Sequence, residues 1–323
     1  MQTVKACPLF GICGGCDWWN LSYDEQIARK THILRGCLAE TLSGVELPPI
    51  TVVPSQPFEY RSRIELHRID ETPPPRREKK LRPGLERAGP AGFMGKKSRV
   101  VIPVNDCPVA VPEIRKALRD GILVPPPEKD RWTVFAATSG LLCEGGGAAK
   151  VCGESCGESR GKSRGKSRGK TRLLGRELLV DAGVFFQSNI ALLEQMITGI
   201  RARAEQALPG AAWDLYCGVG TFAVFLKDYF PRLVLMEAGK TALALARENL
   251  SGGLQSAGNT EFYALNDDHW VKEMRKRKNR EKPAFVSVDP ARRGLSAALI
   301  EFLNESAPLV LVYISCNPRA LAH

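Results

Sequence analysis

The sequence predicts an α/β fold in which a doubly wound parallel sheet follows a smaller β-rich region. In the second half of the 323-residue chain, short apolar runs alternate with helical patterns, as in parallel strands joined by helices. Residues 211–222 run from an apolar strand into a turn containing Gly218 and Gly220, and a helical pattern begins at Ala223. Glycines in such a turn let a ligand approach the backbone closely.

Polar residues follow each predicted strand of this sheet. The run 233–236 ends at Glu237, where an acid is placed to accept hydrogen bonds from ribose hydroxyls, so the pattern predicts an adenosine-containing ligand. The alternative is that the glycines serve only packing. Three later apolar runs, at 261–265, 286–289 and 309–314, end at Asn266 with Asp267, at Asp289 and ahead of Cys316. Because the carboxyl ends of parallel strands share one edge, we expect these residues at one site, with Asn266 and Asp267 placed to read an adenine.

Cys316 is the candidate nucleophile. It follows an apolar strand and lies in a polar turn with Arg319 nearby. Turn N–H groups and a neighbouring cation favour the thiolate form that nucleophilic catalysis requires. A lone cysteine is more often structural, and it is the position at a strand end that favours catalysis here.

Three N-terminal cysteines indicate a metal site. Cys7, Cys13 and Cys16 form a C-x5-C-x2-C pattern in a glycine-rich loop, and Cys107 is the best candidate for a fourth ligand because, like Cys7, it precedes a proline. Four thiolates suit an iron–sulfur cluster or zinc, and the spacing alone leaves both open. Free structural cysteines are the remaining alternative.

The chain has a net charge of +11, and its basic residues concentrate in segments 76–99, 159–172 and 272–282. This pattern suits a polyanionic partner such as RNA, although solvated loops would show it too. The alternating segment 58–69 predicts a strand on which Tyr60, Arg61 and Arg63 meet RNA or, equally, line a solvated face.

Several local patterns define the rest of the chain. A capping box at Ser22 and Glu25 begins a helix over 22–42. A hairpin is predicted over 91–104, a strand pair over 131–143 and a helix over 190–207. The low-complexity segment near 152–172 repeats Ser-Arg-Gly-Lys three times and is predicted to be disordered. No apolar run approaches the about 18–20 residues that span a bilayer. Without a signal-peptide pattern either, we expect a cytoplasmic protein with no membrane partner.

Seven motifs carry a resemblance to a known family. In chain order they are CPLFGICGGC, YRSRIEL, CPVAVP, FFQSN, WDLYCGVGTF, VSVDPARRG and VYISCNP. In this order the chain resembles the bacterial RNA 5-methyluridine (uracil-C5) methyltransferases of the iron–sulfur-containing 23S rRNA type. The likeness runs from Cys7 to Leu321.

The resemblance implies a Rossmann-like methyltransferase domain over 186–323, preceded by an iron–sulfur and RNA-binding region over 1–185. It implies S-adenosylmethionine as cofactor and a uridine in RNA, expected to be ribosomal, as substrate, with no protein partner. Cys316 would add to C6 of the uracil so that C5 attacks the methyl group. The implied ligands of a [4Fe–4S] cluster are Cys7, Cys13, Cys16 and Cys107, and the residues implied to contact S-adenosylmethionine or hold its site are Gln187, Tyr216, Glu237 and Asp289.

The sequence departs from the family pattern in three places. It starts almost at the first cysteine motif, without the small β-barrel domain that is common in the family, and Ala291 stands where a proline is usual. It ends at His323, whereas the family continues with two more strands and a glutamate base. We therefore expect a C-terminally truncated domain with an exposed apolar edge at 309–314.

Two other functions compete with the methyltransferase. One is a catalytically impaired RNA-binding remnant that lacks the general base. The other is a nicotinamide-dependent oxidoreductase, which only the G-x-G-x-x-A pattern suggests and which the Cys316 motif disfavours.

Overall fold

The computed structural model describes residues 7–69, 91–146, 166–207, 209–251, 259–278 and 281–322. The chain divides into two units. The first comprises Met1–Gln26 and Pro54–Ala191, and the second comprises Ile27–Val53 and Leu192–His323. No described helix combines the length and the apolar character needed to cross a bilayer.

Helix α1 (Tyr23–Thr41) begins at the predicted capping box. The Ser22 hydroxyl oxygen accepts a hydrogen bond from the Glu25 N–H at 3.3 Å. In return, Oε2 of Glu25 accepts from the Ser22 N–H at 2.7 Å. Two N–H groups that the helix itself leaves unpaired are thus satisfied, which confirms the predicted start.

The first unit contains a five-stranded antiparallel sheet in the order β3-β2-β1-β4-β5. Its strands are β1 (Arg63–Arg68), β2 (Ala91–Met94), β3 (Val101–Pro103), β4 (Arg131–Ala137) and β5 (Gly140–Cys143). Helix α2 (Pro112–Arg119) buries Ile114, Ala117 and Leu118. The hairpin predicted over 91–104 and the strand pair over 131–143 are confirmed, whereas the strand predicted over 58–69 begins only at Arg63.

A separate hairpin joins β6 (Arg168–Leu173) to β7 (Arg176–Asp181). The last copy of the Ser-Arg-Gly-Lys repeat forms part of β6, so the predicted disorder is wrong for that copy. Two contacts explain the difference: the Lys170 side chain pairs with Glu177 at 3.2 Å, and the Lys170 N–H donates to the Ser139 hydroxyl at 2.9 Å. The preceding residues, 147–165, lie outside the described part of the chain.

The second unit contains a five-stranded parallel sheet in the order β10-β9-β8-β11-β12, as the alternating pattern predicts. The strands are β8 (Ala211–Leu215), β9 (Arg232–Met236), β10 (Thr260–Tyr263), β11 (Pro283–Val288) and β12 (Val310–Tyr313). The helices are α3 (Ile190–Ala204), α4 (Ala223–Leu226), α5 (Lys240–Ser251), α6 (Asp267–Arg275), α7 (Ala297–Ser306) and α8 (Pro318–Ala322). Helix α4 is shorter than its pattern over 223–230 predicted.

Aromatic packing fixes α6 and α7 on this sheet. The Trp213 ring lies 5.2 Å from Trp270 and 5.9 Å from Phe302, measured between ring centroids, and all three side chains are buried. Within the described residues β12 is an edge strand. Leu309, just before it, and Leu311, within it, are 72% and 46% exposed. The expected apolar edge is therefore present.

Candidate functional site

The carboxyl ends of all five parallel strands lie at one edge of the sheet. The turn after β8 carries Tyr216, and Glu237 follows β9 directly. Asp289 follows β11, and Cys316 lies a short turn beyond β12. The structure thus brings these four predicted site residues to the same edge. Gln187 belongs to the first unit.

The glycine turn and Glu237 are joined by hydrogen bonds. Oε2 of Glu237 accepts from the Gly218 N–H at 3.1 Å, and Oε1 accepts from the Gly239 N–H at 2.7 Å. A carboxylate offers about four lone-pair sites, so both oxygens keep acceptor capacity for ribose hydroxyls. Gly218 has a φ of 56° and no atom within 4 Å of its missing Cβ, which leaves open space beside the backbone.

Tyr216 is fixed by a buried carboxylate. Its φ is 61°, an uncommon value for a residue with a side chain, and its hydroxyl donates to Oδ2 of Asp267 at 2.8 Å. Oδ2 of Asp267 also accepts from the Ser296 N–H at 3.1 Å. Burial acts to raise the pKa of Asp267, but these hydrogen bonds outweigh it and hold the pKa below its usual value.

The residues after β10, Asn266 and Asp267, make contacts that differ from the adenine contacts expected from the sequence. The Asp267 side chain is only 2% exposed and engaged within the protein. Oδ1 of Asn266 accepts from the His269 N–H at 3.0 Å and caps α6. The sequence predicted adenine contacts for both, whereas in the structure Asn266 caps α6 and Asp267 accepts from the Tyr216 hydroxyl and the Ser296 N–H.

A second buried carboxylate lies inside the sheet. Oδ1 of Asp214 accepts from the Ser287 hydroxyl at 2.7 Å, and Oδ2 accepts from the Ala223 N–H at 3.1 Å. Burial raises the pKa of Asp214 to about 7. The pair links β8, β11 and the start of α4. Sequence reasoning missed Ser287, since one serine in an apolar strand gives no signal of its partner.

The Cys316 thiol is exposed at the start of a tight turn. The Ser315 hydroxyl donates to the Asn317 carbonyl at 3.0 Å, and Nδ2 of Asn317 donates to the Arg292 carbonyl at 2.9 Å. The Arg292 loop follows Asp289, whose own N–H donates to the Leu215 carbonyl at 3.3 Å. The turn with the thiol, the Asp289 loop and the end of β8 are therefore tied together.

The four predicted metal ligands line one cavity of about 500 Å³ in the first unit. Burial raises the pKa of Cys13 and Cys16, and that of Cys107 to about 11, while the positive charge of Arg61 opposes the rise. Among the described residues, no group of three or more His, Cys, Asp or Glu is spaced to hold one ion.

The cavity also accounts for Arg61, for which the sequence allowed RNA contact or a solvated face. Its guanidinium lines the cavity, and its Nε is buried with no hydrogen-bond partner among the described residues. A buried donor on a cation calls for an anionic acceptor. The residues present therefore fit a negatively charged, thiolate-bound group.

Part of the predicted phosphate-binding surface is engaged within the protein. Arg275 pairs with Glu301 at 3.0 Å and with Glu305 at 2.7 Å, and Arg277 pairs with Glu261 at 2.7 Å. The segments 70–90 and 147–165, which carry much of the remaining basic charge, lie outside the described residues.

Fold and site together define an α/β domain of the kind that binds adenosine-containing ligands, with an exposed thiol at the same sheet edge. Comparison with known proteins narrows this class. Residues 174–323 match the family model described as tRNA (Uracil-5-)-methyltransferase. Over this segment the chain is similar to the RNA uracil-C5 methyltransferases.

Two of three relatives extend the likeness beyond the matched segment. An uncharacterized RNA methyltransferase of Treponema denticola is 27% identical over 99% of this chain and 75% of its own length. The tRNA (uracil(54)-C(5))-methyltransferase of Schizosaccharomyces pombe is 26% identical over 99% and 58%. The 23S rRNA (uracil(747)-C(5))-methyltransferase RlmC of Halothiobacillus neapolitanus is 37% identical over 43% and 36%. The chain thus spans between about a third and three quarters of these proteins.

A solved structure shares the fold. It is the Pyrococcus abyssi tRNA (uracil-54, C5)-methyltransferase in complex with S-adenosyl-L-homocysteine, with a TM-score of 0.65 and 24% identity. The alignment covers 99% of this chain and 80% of that one. At this identity the likeness establishes the arrangement of strands and helices.

Proposed function

We propose that this protein transfers a methyl group from S-adenosylmethionine to C5 of a uridine in RNA. One observation carries the proposal: the Glu237 carboxylate beside an open glycine turn and the exposed Cys316 thiol lie at the same sheet edge. The first suits the ribose of an adenosine cofactor, and the second suits a nucleophile. The related family and the S-adenosyl-L-homocysteine in the Pyrococcus abyssi structure support the choice of cofactor.

The cofactor would supply an electrophilic methyl group. Glu237 would bind the ribose, the open space beside Gly218 would admit the ligand to the backbone, and Tyr216 would form the floor of the site. Asp289 and Gln187 are the remaining proposed contacts, as in the resemblance. The hydrogen bond to Asp267 holds the Tyr216 side chain in this position.

The chemistry of uracil explains the need for a thiol. C5 of uracil is a weak nucleophile, and addition of the Cys316 thiolate to C6 makes C5 enolate-like and able to take the methyl group. Loss of the C5 proton to a base then lets the C6–sulfur bond break and restores the thiolate. Asn317 holds the turn against the Arg292 loop, which fixes the thiol relative to Asp289. A uridine inside a helix would have to leave its stack to reach the thiol.

We also propose that Cys7, Cys13, Cys16 and Cys107 hold a [4Fe–4S] cluster. The support is their shared cavity and the buried, unpaired Arg61 donor in its wall. When bound, the cluster would tie the N-terminal loop to the Cys107 turn through covalent iron–sulfur bonds.

Trapping on 5-fluorouridine RNA tests the central proposal. A base can remove a proton from C5 but cannot remove fluorine as a cation, so a methylated, thiol-linked adduct would persist and migrate as a protein–RNA band under denaturing conditions. We expect this band, labelled from the cofactor's methyl group, for the wild type and for Cys37→Ser, which changes a thiol on α1. Cys316→Ser should not form it. A labelled band that survives Cys316→Ser would refute the assigned nucleophile.

The choice of RNA needs both substrate classes in the assay, because the relatives act on 23S rRNA and on tRNA. The resemblance favours ribosomal RNA, so we expect adducts with rRNA fragments and not with tRNA. RNA binding without either cofactor binding or adduct would instead support an RNA-binding protein without catalysis.

A further inference from the structure

Arg61 is held by its backbone against the turn that carries Cys107. Its N–H donates to the Val109 carbonyl at 2.8 Å, and its carbonyl accepts from the Val111 N–H at 3.0 Å. On its other side it forms a bridge with Asn189. Because two segments fix the backbone of Arg61, the fold sets where its side chain enters the cavity wall.

The guanidinium differs from the other basic side chains around the cavity. Lys96 pairs with Asp17 at 3.3 Å, His67 lies 3.5 Å from Glu65, and Lys97 is exposed to solvent. Within the described part of the chain, Arg61 makes no ion pair, and its Nε is buried without an acceptor. An unpaired charged donor in such a place is unfavourable unless the cavity contents supply an acceptor and negative charge.

We propose that Arg61 is the counter-cation and hydrogen-bond donor for the thiolate-bound group in this cavity. The inference rests on the proposed cluster and goes beyond its ligands. A cluster bound by four thiolates carries net negative charge, and groups that hydrogen-bond metal ligands tune both metal affinity and reduction potential. Arg61 therefore retains the cluster and favours its reduced form, because reduction adds negative charge beside the guanidinium.

Three full-length variants test this role. Arg61→Met keeps the side-chain length and the backbone bonds but removes the charge, and Arg61→Lys keeps the charge without the fork of donors. Arg99→Met removes an exposed cation of the same unit that does not line the cavity, and serves as the control. Each protein is purified anaerobically and assayed for iron and sulfide content, for iron loss to a chelator and for reduction potential by voltammetry.

We expect Arg61→Met to lose iron about tenfold faster than the wild type, the lower end of the usual effect of removing an outer partner of a metal ligand. Its reduction potential should shift to more negative values. Arg61→Lys should recover most of the potential and part of the iron retention, and Arg99→Met should match the wild type. If Arg61 had only a structural role, its substitution would change the rate of iron loss, but Arg61→Lys would not restore the reduction potential.

The outcomes separate the two proposals. If the wild type holds iron and Arg61→Met matches Arg99→Met in iron loss and potential, the role of Arg61 is overturned and the cluster stands. A potential that lysine does not restore also overturns it. If the wild type holds no iron after anaerobic reconstitution, the cluster fails and the role of Arg61 fails with it.

Discussion

The hydrogen bond from Tyr216 to Asp267 gives the sharpest test of the site. Tyr216→Phe keeps the ring and removes only the hydroxyl that donates to Oδ2 of Asp267 at 2.8 Å. That carboxylate is 2% exposed, so water cannot replace the lost donor without rearrangement. Hydrogen bonds to charged groups contribute about 1.5–3 kcal/mol, and we expect the free energy of unfolding to fall by about that amount.

The free energy of unfolding of the second unit is measured by urea titration. Tyr229→Phe, which also removes one tyrosine hydroxyl from this unit, is the matched control. The Tyr229 hydroxyl accepts from Nε of Arg201 at 3.1 Å and donates to Glu205 at 3.4 Å, among exposed or half-buried neighbours. Its loss should change the free energy of unfolding by no more than about 0.5 kcal/mol. Equal effects of the two substitutions would mean that the buried bond does not form in solution.

The same bond predicts a pH dependence. The pKa of Asp267 in the folded protein is lowered from 3.8, so its stabilising contribution is present above about pH 4 and is lost as the pH falls through the lowered value. The difference between wild type and Tyr216→Phe should therefore be constant at neutral pH and shrink in acid. A double-mutant cycle with Asp267→Asn should show that the two effects are not additive.

Three further predictions concern the rest of this sheet edge. Burial raises the pKa of Asp214 to about 7, so the folded state is destabilised as the pH rises from about 4 to 7. Asp214→Asn should therefore gain stability relative to the wild type over this range. In denaturant titrations the gain should be up to about 1.4 kcal/mol per pH unit. Gly220→Ala should destabilise the protein more than Gly218→Ala, because a Cβ at Gly220 would lie 3.1 Å from Ala246 and one at Gly218 meets nothing; equal thermal shifts would contradict this. Glu237→Gln should weaken binding of S-adenosylhomocysteine about tenfold in calorimetry, as expected for one lost charged hydrogen bond, and unchanged affinity would exclude Glu237 as the ribose ligand.

The local sequence was sufficient to predict the strands of the parallel sheet and the polar residues that follow them. Apolar runs of strand length mark buried strands, and the chain direction then puts Glu237, Asp289 and Cys316 at the same edge. The capping box at Ser22 and the hairpin over 91–104 were equally local, because each depends on residues only a few positions apart. The cysteine patterns likewise singled out four residues that line one cavity.

Tertiary structure decided which polar groups meet. Asp267 bonds Tyr216 across 51 positions of sequence, and Ser287 bonds Asp214 across 73. Arg61 lies in the cysteine cavity although its strand pattern suited a solvated face equally. Hydrophobic periodicity records whether a position is buried and in which local conformation. It carries no information about which distant side chain faces that position, because that depends on the spatial order of the strands and on the direction of each side chain.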